Sequence, residues 1–272
     1  MSIQPSKKLK SMTTRNLRSF KKKDHARSLQ MLTCYDFQTA QLLSETTIDM
    51  ILVGDSLGNV ILGLDHTIQV ELSHMKIFGA AVKRGAREKF VVIDMPFGTY
   101  STLDSGVKNG IALFQATGAE ALKLEGASEV TLKVIKRLVD TGIPVMGHIG
   151  LTPQSVHELG GYYTHGKDTQ SAERLVKEAK KLQKAGAFSL VLECVSSELS
   201  THITEELTIP TIGIGAGEGT DGQVLVINDL LKMGAAVPPK FCTPIADFYK
   251  LKKELIQNYL DTRPTQESAP LS

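Results

Sequence analysis

The 272-residue sequence has no tryptophan, and aromatic residues make up only 6% of it. Surfaces that bind single-stranded nucleic acid need aromatic side chains on which the bases stack, so this composition argues against such a partner. The net charge of +2 provides no strong field for a polyanion. No apolar stretch reaches the roughly 18 residues of a membrane span, because charged residues or glycine interrupt each run. We therefore expect no nucleic-acid partner and no membrane segment.

Cysteine is also scarce. The three residues, Cys34, Cys194 and Cys242, are an odd number and lack the spacing of a zinc site. Cys34 and Cys194 lie in apolar runs, where cysteine most simply acts as a small buried hydrophobe. Disulfides are therefore not expected, and a reducing cytoplasm is the predicted location.

The two ends of the chain differ in composition from the part between them. The first 23 residues contain eight Lys or Arg and no acid, so residues 1–27 are interpreted as a basic arm leading into a helix. A transit peptide, which is also basic and poor in acids, is the alternative. Residues 262–272 are rich in Pro and Ser and are expected to form a flexible tail. Residues 28–261 have about the length of one (βα)8 barrel, including an amphipathic helix at 246–260.

Apolar runs alternate with amphipathic stretches throughout this central region. Helices are predicted at 37–46, 68–86, 128–140 and 170–185. Runs rich in Val, Ile and Leu predict strands buried on both faces, as in a parallel sheet; they lie at 29–34, 49–54, 90–94, 120–124, 144–148, 188–193, 210–214 and 223–227. Eight strands joined by crossover helices favour an α/β fold that closes into a (βα)8 TIM barrel over an open sheet.

Four of the apolar runs end in an acidic residue: Asp55, Asp94, Glu125 and Glu193. A carboxylate in such a place is costly to bury unless something compensates its charge. In a parallel barrel the carboxyl ends of the strands meet at one mouth, where the active sites of these barrels lie. The pattern therefore predicts an active site there. Asp is also a favoured helix cap, so a capping role for Asp55 or Asp94 is the alternative.

Two further side chains are predicted to join this site. Lys123 and Glu125 are two residues apart, so on a strand both point the same way. We expect Lys123 to bind a substrate carboxylate and Glu125 to support a metal ion, with a structural ion pair as the alternative. A set of carboxylates suits Mg2+, and Glu193 is a candidate base. His148 ends another strand and is either a hydrogen-bonded core residue or part of the site.

Two loops are open to more than one interpretation. The segment GIGAGEGTDGQ (213–223) fits neither the Walker pattern nor a dinucleotide fingerprint. It is either a phosphate-binding loop or a close-packed turn. The segment GGYYTHGK (160–167) is long enough to form a lid, and a solvated connector is the alternative.

Eight segments together resemble the ketopantoate hydroxymethyltransferase family: MLTCYDFQTAQLLSE, LVGDSLGNVILGLDHT, VVIDMPFGTY, GAEALKLEG, PVMGHIGLTPQSV, GGYYTHGK, LVLECV and IPTIGIGAGEGTDGQVLV. The resemblance extends from about Met12 to about Tyr259. It implies a barrel related to the phosphoenolpyruvate/pyruvate-binding barrels, assembled as a homo-oligomer, namely a decamer.

The resemblance also implies a reaction and residue roles. A hydroxymethyl unit would pass from 5,10-methylenetetrahydrofolate to C3 of 3-methyl-2-oxobutanoate through a Mg2+-stabilised enolate, giving 2-dehydropantoate for pantothenate synthesis. The proton acceptor would be Glu193. The implied metal ligands are Asp55, Asp94 and Glu125. The implied contacts with the 2-oxoacid are Asp55, Ser56, Asp94, Lys123 and His148.

Two other functions remain open at this stage. A C–C lyase or mutase of the related barrels would share the metal and the 2-oxoacid but would need no folate. A non-enzymatic, metal-binding scaffold would leave the acids at the strand ends unexplained.

Overall fold

The computed structural model describes residues 12–21, 27–161 and 163–262. The chain divides into two compact units, one that ends at Val226 and one that begins at Ile227.

Three sequence predictions fall partly outside the described residues. They are the basic arm at 1–11 and 22–26, the tail at 263–272, and position 162 of the 160–167 loop.

Eight parallel strands of the first unit close into a barrel. Each strand pairs with the next, and β8 pairs with β1, so the sheet has no free edge. This confirms the predicted (βα)8 barrel, and each predicted strand end lies within two residues of the observed one. The strands are β1 (Leu29–Thr33), β2 (Met50–Val53), β3 (Phe90–Asp94), β4 (Ala121–Glu125), β5 (Val145–Gly150), β6 (Ser189–Glu193), β7 (Thr211–Ile214) and β8 (Gly222–Leu225).

Nine α-helices of the same unit lie among the described residues: α1 (Thr14–Ser19), α2 (Phe37–Ser44), α3 (Leu57–Val60), α4 (Leu72–Gly85), α5 (Leu103–Thr117), α6 (Glu129–Asp140), α7 (Val156–Leu159), α8 (Thr169–Ala185) and α9 (Ser197–Glu206). The helix predicted at 68–86 begins later, at Leu72, because Thr67–Gln69 forms a separate 3-10 turn. Asp36 caps α2, since its Oδ1 accepts from the backbone N–H of Thr39 at 2.8 Å.

Side chains that point into the barrel change from apolar to charged along the strands. Phe90, Met146, Phe188 and Val224 belong to one buried cluster inside the barrel, where the rings of Phe90 and Phe188 meet edge to face with centroids 5.6 Å apart. Leu17 of α1 packs in the same cluster. Because side chains alternate along a strand, the next inward positions toward the carboxyl ends are the charged residues of the predicted site.

The second unit contains α10 (Ile227–Leu230) and α11 (Phe248–Thr262). The latter matches the helix predicted at 246–260, displaced by two residues. None of the described helices is both long and apolar enough to cross a membrane.

Candidate active site

A cavity of about 150 Å3 lies at the carboxyl ends of the strands. All seven residues that the sequence analysis selected line it: Asp55, Ser56, Asp94, Lys123, Glu125, His148 and Glu193. Apolar side chains of the barrel, including Leu52, Val191 and Ile214, complete the wall. The structure therefore brings the predicted residues together in one small, polar chamber with an apolar floor.

Strand register sets which charged groups meet. Asp94 on β3 is the cross-strand partner of Lys123 on β4, and Glu125 on β4 is the partner of His148 on β5. Lys123 and Glu125 lie two residues apart on one strand and share a face, as expected. Two carboxylates, an ammonium and an imidazole are thus held on three adjacent strands.

Lys123 is the buried cation of the site. Its Nζ lies 3.0 Å from Asp94 Oδ1 and 3.6 Å from Glu125 Oε1. Burial lowers the pKa of the Lys123 ammonium, but the nearby carboxylates outweigh burial and raise it. Lys123 is therefore charged at every physiological pH and is available to bind an anionic substrate group.

His148 links two carboxylates through its ring. Nδ1 lies 3.2 Å from Glu125 Oε1, and Nε2 lies 3.2 Å from Glu193 Oε2. Burial and the neighbouring Lys123 lower the pKa of His148, but the two carboxylates prevail and raise it to about 9. This raised pKa favours the imidazolium form of His148 near neutral pH. Conversely, burial raises the pKa of Glu125, but His148 and Lys123 outweigh it and lower that pKa.

Asp55 and Asp94 form a buried acidic pair. The backbone N–H of Asp55 donates to Asp94 Oδ2 at 3.1 Å. Burial, together with repulsion from neighbouring carboxylates, raises the pKa of both carboxyls, that of Asp55 well above its usual range. Neither side chain caps a helix, since the N-cap of α3 is Ser56, without a side-chain cap hydrogen bond. The pair therefore lacks sufficient positive charge from the protein.

Ser56 and Glu193 lie nearer the rim. The hydroxyl of Ser56 is 2.8 Å from the hydroxyl of Tyr35. Glu193 is the most open of the acids, with its side chain 17% exposed. Cys194, which follows it, has φ of 49°, a left-handed conformation that turns the chain sharply after β6.

The loop proposed as a lid is attached to this turn. His165 forms a bridge with Val195, and its backbone N–H donates to the carbonyl of Cys194 at 2.7 Å. The ring of Tyr163, half of whose side chain is exposed, stacks on His165 at 4.4 Å. The loop is thus fixed at its carboxyl-terminal side to the segment that carries Glu193.

The glycine-rich loop is a close-packed turn against α9. A Cβ at Gly217 would collide with Ser197, and a Cβ at Gly219 would collide with Thr201. Gly215 and Gly217 also have positive φ, which favours glycine. Packing and backbone conformation therefore account for these glycines without a phosphate.

Two residues that sequence reasoning missed support the carboxylates. Gln154 donates from Nε2 to Asp55 Oδ2 at 2.8 Å, and its Oε1 accepts from the hydroxyl of Tyr100 at 2.7 Å. Both lie in loops after strands, in segments LTPQS and GTYS. They lie four residues after Gly150 and six residues after Asp94, so the strand-end pattern that found the acids gives no signal for them.

The donor set fits Mg2+ as a partly hydrated ion. Among the residues that the structure describes, no three His, Cys, Asp or Glu side chains are arranged to hold a metal by themselves, since Lys123 lies between Asp94 and Glu125. Mg2+ usually binds one or two carboxylates and keeps several waters. The acidic pair of Asp55 and Asp94, short of positive charge, matches that requirement, and Glu125 could act only through water in this arrangement.

Solved structures with the same architecture have different sequences. A phosphoenolpyruvate phosphomutase from Streptomyces platensis subsp. rosaceus superposes with a TM-score of 0.65 at 13% identity, covering 96% of this chain and 92% of that one. For a 2,3-dimethylmalate lyase the TM-score is 0.62 at 13% identity, with 94% and 92% covered. These likenesses show the fold alone, and that fold is the predicted (βα)8 barrel.

Fold and site together define a (βα)8-barrel enzyme whose charged centre lies at the carboxyl ends of the strands. Among such enzymes, the chain belongs to the ketopantoate hydroxymethyltransferase family, whose sequence model matches residues 11–267. It is therefore a transferase of one-carbon hydroxymethyl units.

Curated relatives agree with this assignment. The 3-methyl-2-oxobutanoate hydroxymethyltransferase of Bacillus licheniformis is 48% identical over 242 residues, which is 89% of this chain and 87% of the relative. The enzyme of the same name from Syntrophomonas wolfei is 48% identical over 239 residues, with 88% and 86% covered.

Proposed function

We propose that this enzyme transfers a one-carbon unit from 5,10-methylenetetrahydrofolate to C3 of 3-methyl-2-oxobutanoate and releases 2-dehydropantoate, a precursor of pantothenate and coenzyme A. The observation that carries the proposal is the single cavity in which three buried carboxylates, Lys123, His148 and Glu193 meet. Relatives about half identical to this chain bear the name of the 2-oxoacid. The cavity, at about 150 Å3, matches the scale of a small 2-oxoacid.

Asp55 and Asp94 would hold Mg2+, with Glu125 acting through water. When bound, the ion would supply Lewis-acid stabilisation to the negative charge that develops on the keto oxygen. Asp55 and Asp94 are suited to bind this ion, because the two carboxylates are buried and short of positive charge. Manganese or magnesium ions would relieve the repulsion between the two carboxylates.

Lys123 and Ser56 would bind the substrate. Lys123 is charged and lies buried in the wall of the cavity, so its ammonium can donate to the substrate carboxylate in a charge-assisted hydrogen bond. The Ser56 hydroxyl, already oriented by Tyr35, can add a second donor. Together they would place C3 on the side of the open carboxylate, Glu193.

Glu193 would remove the C3 proton. Its Oε2 lies 3.2 Å from Nε2 of His148, an ion-pair distance that keeps the carboxylate next to the imidazole ring. The proton passes from C3 to Glu193, and the resulting carbon nucleophile forms a bond with the one-carbon unit of the folate. The methylene carbon of the folate is bonded to two nitrogens, and both of these C–N bonds break. That carbon bonds instead to C3 and to the oxygen of one water, which becomes the new hydroxyl. The C3 proton and one proton of the water go to the two nitrogens, so the reaction balances.

Proton NMR in D2O tests the proposal. The enzyme is incubated with 3-methyl-2-oxobutanoate and Mg2+, with and without 5,10-methylenetetrahydrofolate. We expect 2-dehydropantoate only with the folate, and none after EDTA. Metal-dependent deuterium exchange at C3 without transfer in the presence of the folate would reject the folate as donor and retain the proton-abstraction step. Absence of both signals would reject the proposed reaction and favour a lyase.

The family resemblance further implies a decamer in the cytoplasm. Light scattering coupled to size exclusion would test the assembly, since a decamer has ten times the 29.6 kDa mass of one chain. All three cysteines are free thiols, which agrees with a reducing compartment, and cell fractionation would test the location.

A further inference from the structure

Gln154 occupies a buried position immediately behind the cavity. It lies in the 3-10 turn Pro153–Ser155, directly after β5, and is only 6% exposed. A buried side-chain amide must find partners for its donors and its acceptor, since each one left unpaired costs about 1–3 kcal/mol. Where those partners lie therefore shows what the residue does.

Its partners lie at the carboxyl ends of three neighbouring strands, and two of them, Asp55 and Glu125, line the cavity. The amide Nε2 donates to Asp55 Oδ2 at 2.8 Å and to the carbonyl of Met95 at 3.0 Å. The amide Oε1 accepts from the hydroxyl of Tyr100 at 2.7 Å. The backbone N–H of Gln154 donates to Glu125 Oε2 at 3.2 Å. One residue thus connects the segments that follow β2 and β3 with the end of β4.

We propose that Gln154 is a positioning residue that fixes the carboxylates of Asp55 and Glu125 for cation binding. This inference rests on the proposed function, because the presence of a metal ion at this site is taken from it. A carboxylate with one oxygen held by a buried donor cannot rotate freely about its Cβ–Cγ bond, so its other oxygen is presented in a fixed direction. Partners of metal ligands that act in this way typically change metal affinity by 10–100-fold.

Glutamine is the side chain that this position requires. Two acceptors, Asp55 and the Met95 carbonyl, face the same nitrogen, while the Tyr100 hydroxyl needs an acceptor. An amide offers two N–H donors on one nitrogen together with a carbonyl acceptor. A glutamate at position 154 would place another acceptor against them. Tyr100 fixes the orientation of the amide group, because its hydroxyl donates to Oε1 and also accepts from the backbone N–H of Glu125 at 3.3 Å.

The test measures Mn2+ affinity of the full chain by electron paramagnetic resonance, without folate or turnover. Gln154→Met keeps the length of the side chain but removes every hydrogen bond of its amide. Tyr100→Phe removes only the hydroxyl that orients the amide. The matched control is Gln183→Met. Gln183 lies on α8 outside the cavity wall, is half-buried, and accepts through its Oε1 from the backbone N–H of Thr208. Thermal unfolding verifies that each variant folds.

We expect Gln154→Met to bind Mn2+ about 10–100-fold more weakly than the wild type, Tyr100→Phe to shift in the same direction by less, and Gln183→Met to be unchanged. Folded Gln154→Met with wild-type affinity would overturn the inference. If that variant does not fold, Tyr100→Phe decides in the same way. A wild type that itself fails to bind Mn2+ would reject the metal of the proposed function, whereas a binding wild type with unaffected variants rejects the role of Gln154 alone.

Discussion

Replacement of the Glu193 carboxylate by an amide is the sharpest test of the proton-transfer step. Glu193→Gln preserves the size of the side chain, and the new amide oxygen can still accept from His148 Nε2, now 3.2 Å from the carboxylate. The amide cannot accept a proton from carbon. We therefore expect substrate and metal binding to persist while proton removal fails.

The expected magnitude follows from the role. A positioned general base contributes about 10²–10⁴-fold to a rate, which corresponds to about 3–5 kcal/mol of the activation barrier. Because the Glu193 side chain is partly exposed, at 17%, water can enter and substitute poorly for the base. This places the expected loss toward the lower end, on the order of 10²-fold in deuterium exchange at C3.

The assay is proton NMR of 3-methyl-2-oxobutanoate in D2O with saturating Mg2+. The matched control is Glu129→Gln, the same exchange at an exposed position on α6, for which we expect the wild-type rate. If Glu193→Gln exchanged deuterium as fast as the control, Glu193 would not be the base. In that case the side chain would serve only to hold His148.

Two further predictions concern stability. In metal-free protein, burial and Lys123 lower the pKa of His148, but the carboxylates raise it from 6.5 to about 9. The contribution of protonated His148 to the free energy of unfolding is therefore complete below about pH 6.5 and is lost as the pH rises through 9. The free energy of unfolding should fall by about 3 kcal/mol across that window, which urea titrations at several pH values would measure. An equal fall in a His148→Gln variant would contradict this prediction. Gly219→Ala, whose methyl group would collide with Thr201, should lose about 1–3 kcal/mol of stability, as measured by thermal unfolding. The control Gly234→Ala, with open space around the new methyl group, should keep its stability. Equal stability of the two variants would refute the close-packed interpretation of the glycine-rich loop.

The strands could be predicted well because a parallel barrel buries them on both faces. Segments such as FVVID (90–94) are almost continuously apolar, and in a chain of this length few structures other than a buried parallel sheet account for that pattern. The helices α5 and α9 were missed because their sequences contain glycines, serines and threonines that weaken the amphipathic pattern. In the structure, Gly106 and Gly110 allow α5 to pack closely against Val134 and Leu138 of α6, which is a tertiary reason that a local pattern does not reveal.

The acids of the site could be predicted from their positions at strand ends, but their supports could not. Gln154 lies 99 residues from Asp55 in sequence, and nothing in LTPQS specifies which carboxylate its amide will reach. Likewise, the protonated state of His148 depends on Glu125 and Glu193 meeting opposite sides of one ring. Such contacts depend on the loops and the barrel stagger, which the strand pattern leaves undetermined.

Strand register explains why the charges of this site can be buried at all. Asp94 faces Lys123 and Glu125 faces His148 as direct cross-strand partners, so each acid on β3 and β4 has a cation on the next strand. A shift of one residue on β4 would turn Lys123 and Glu125 out of the barrel. Asp94 would then lose its cation, and His148 would keep only Glu193. Asp55 has no such partner, because β2 ends before it and its nearest charged neighbours are acids. The register thus gives each acid on β3 and β4 a basic partner and gives Asp55 none. Asp55 instead accepts a hydrogen bond from Gln154, and we propose that it shares the metal with Asp94.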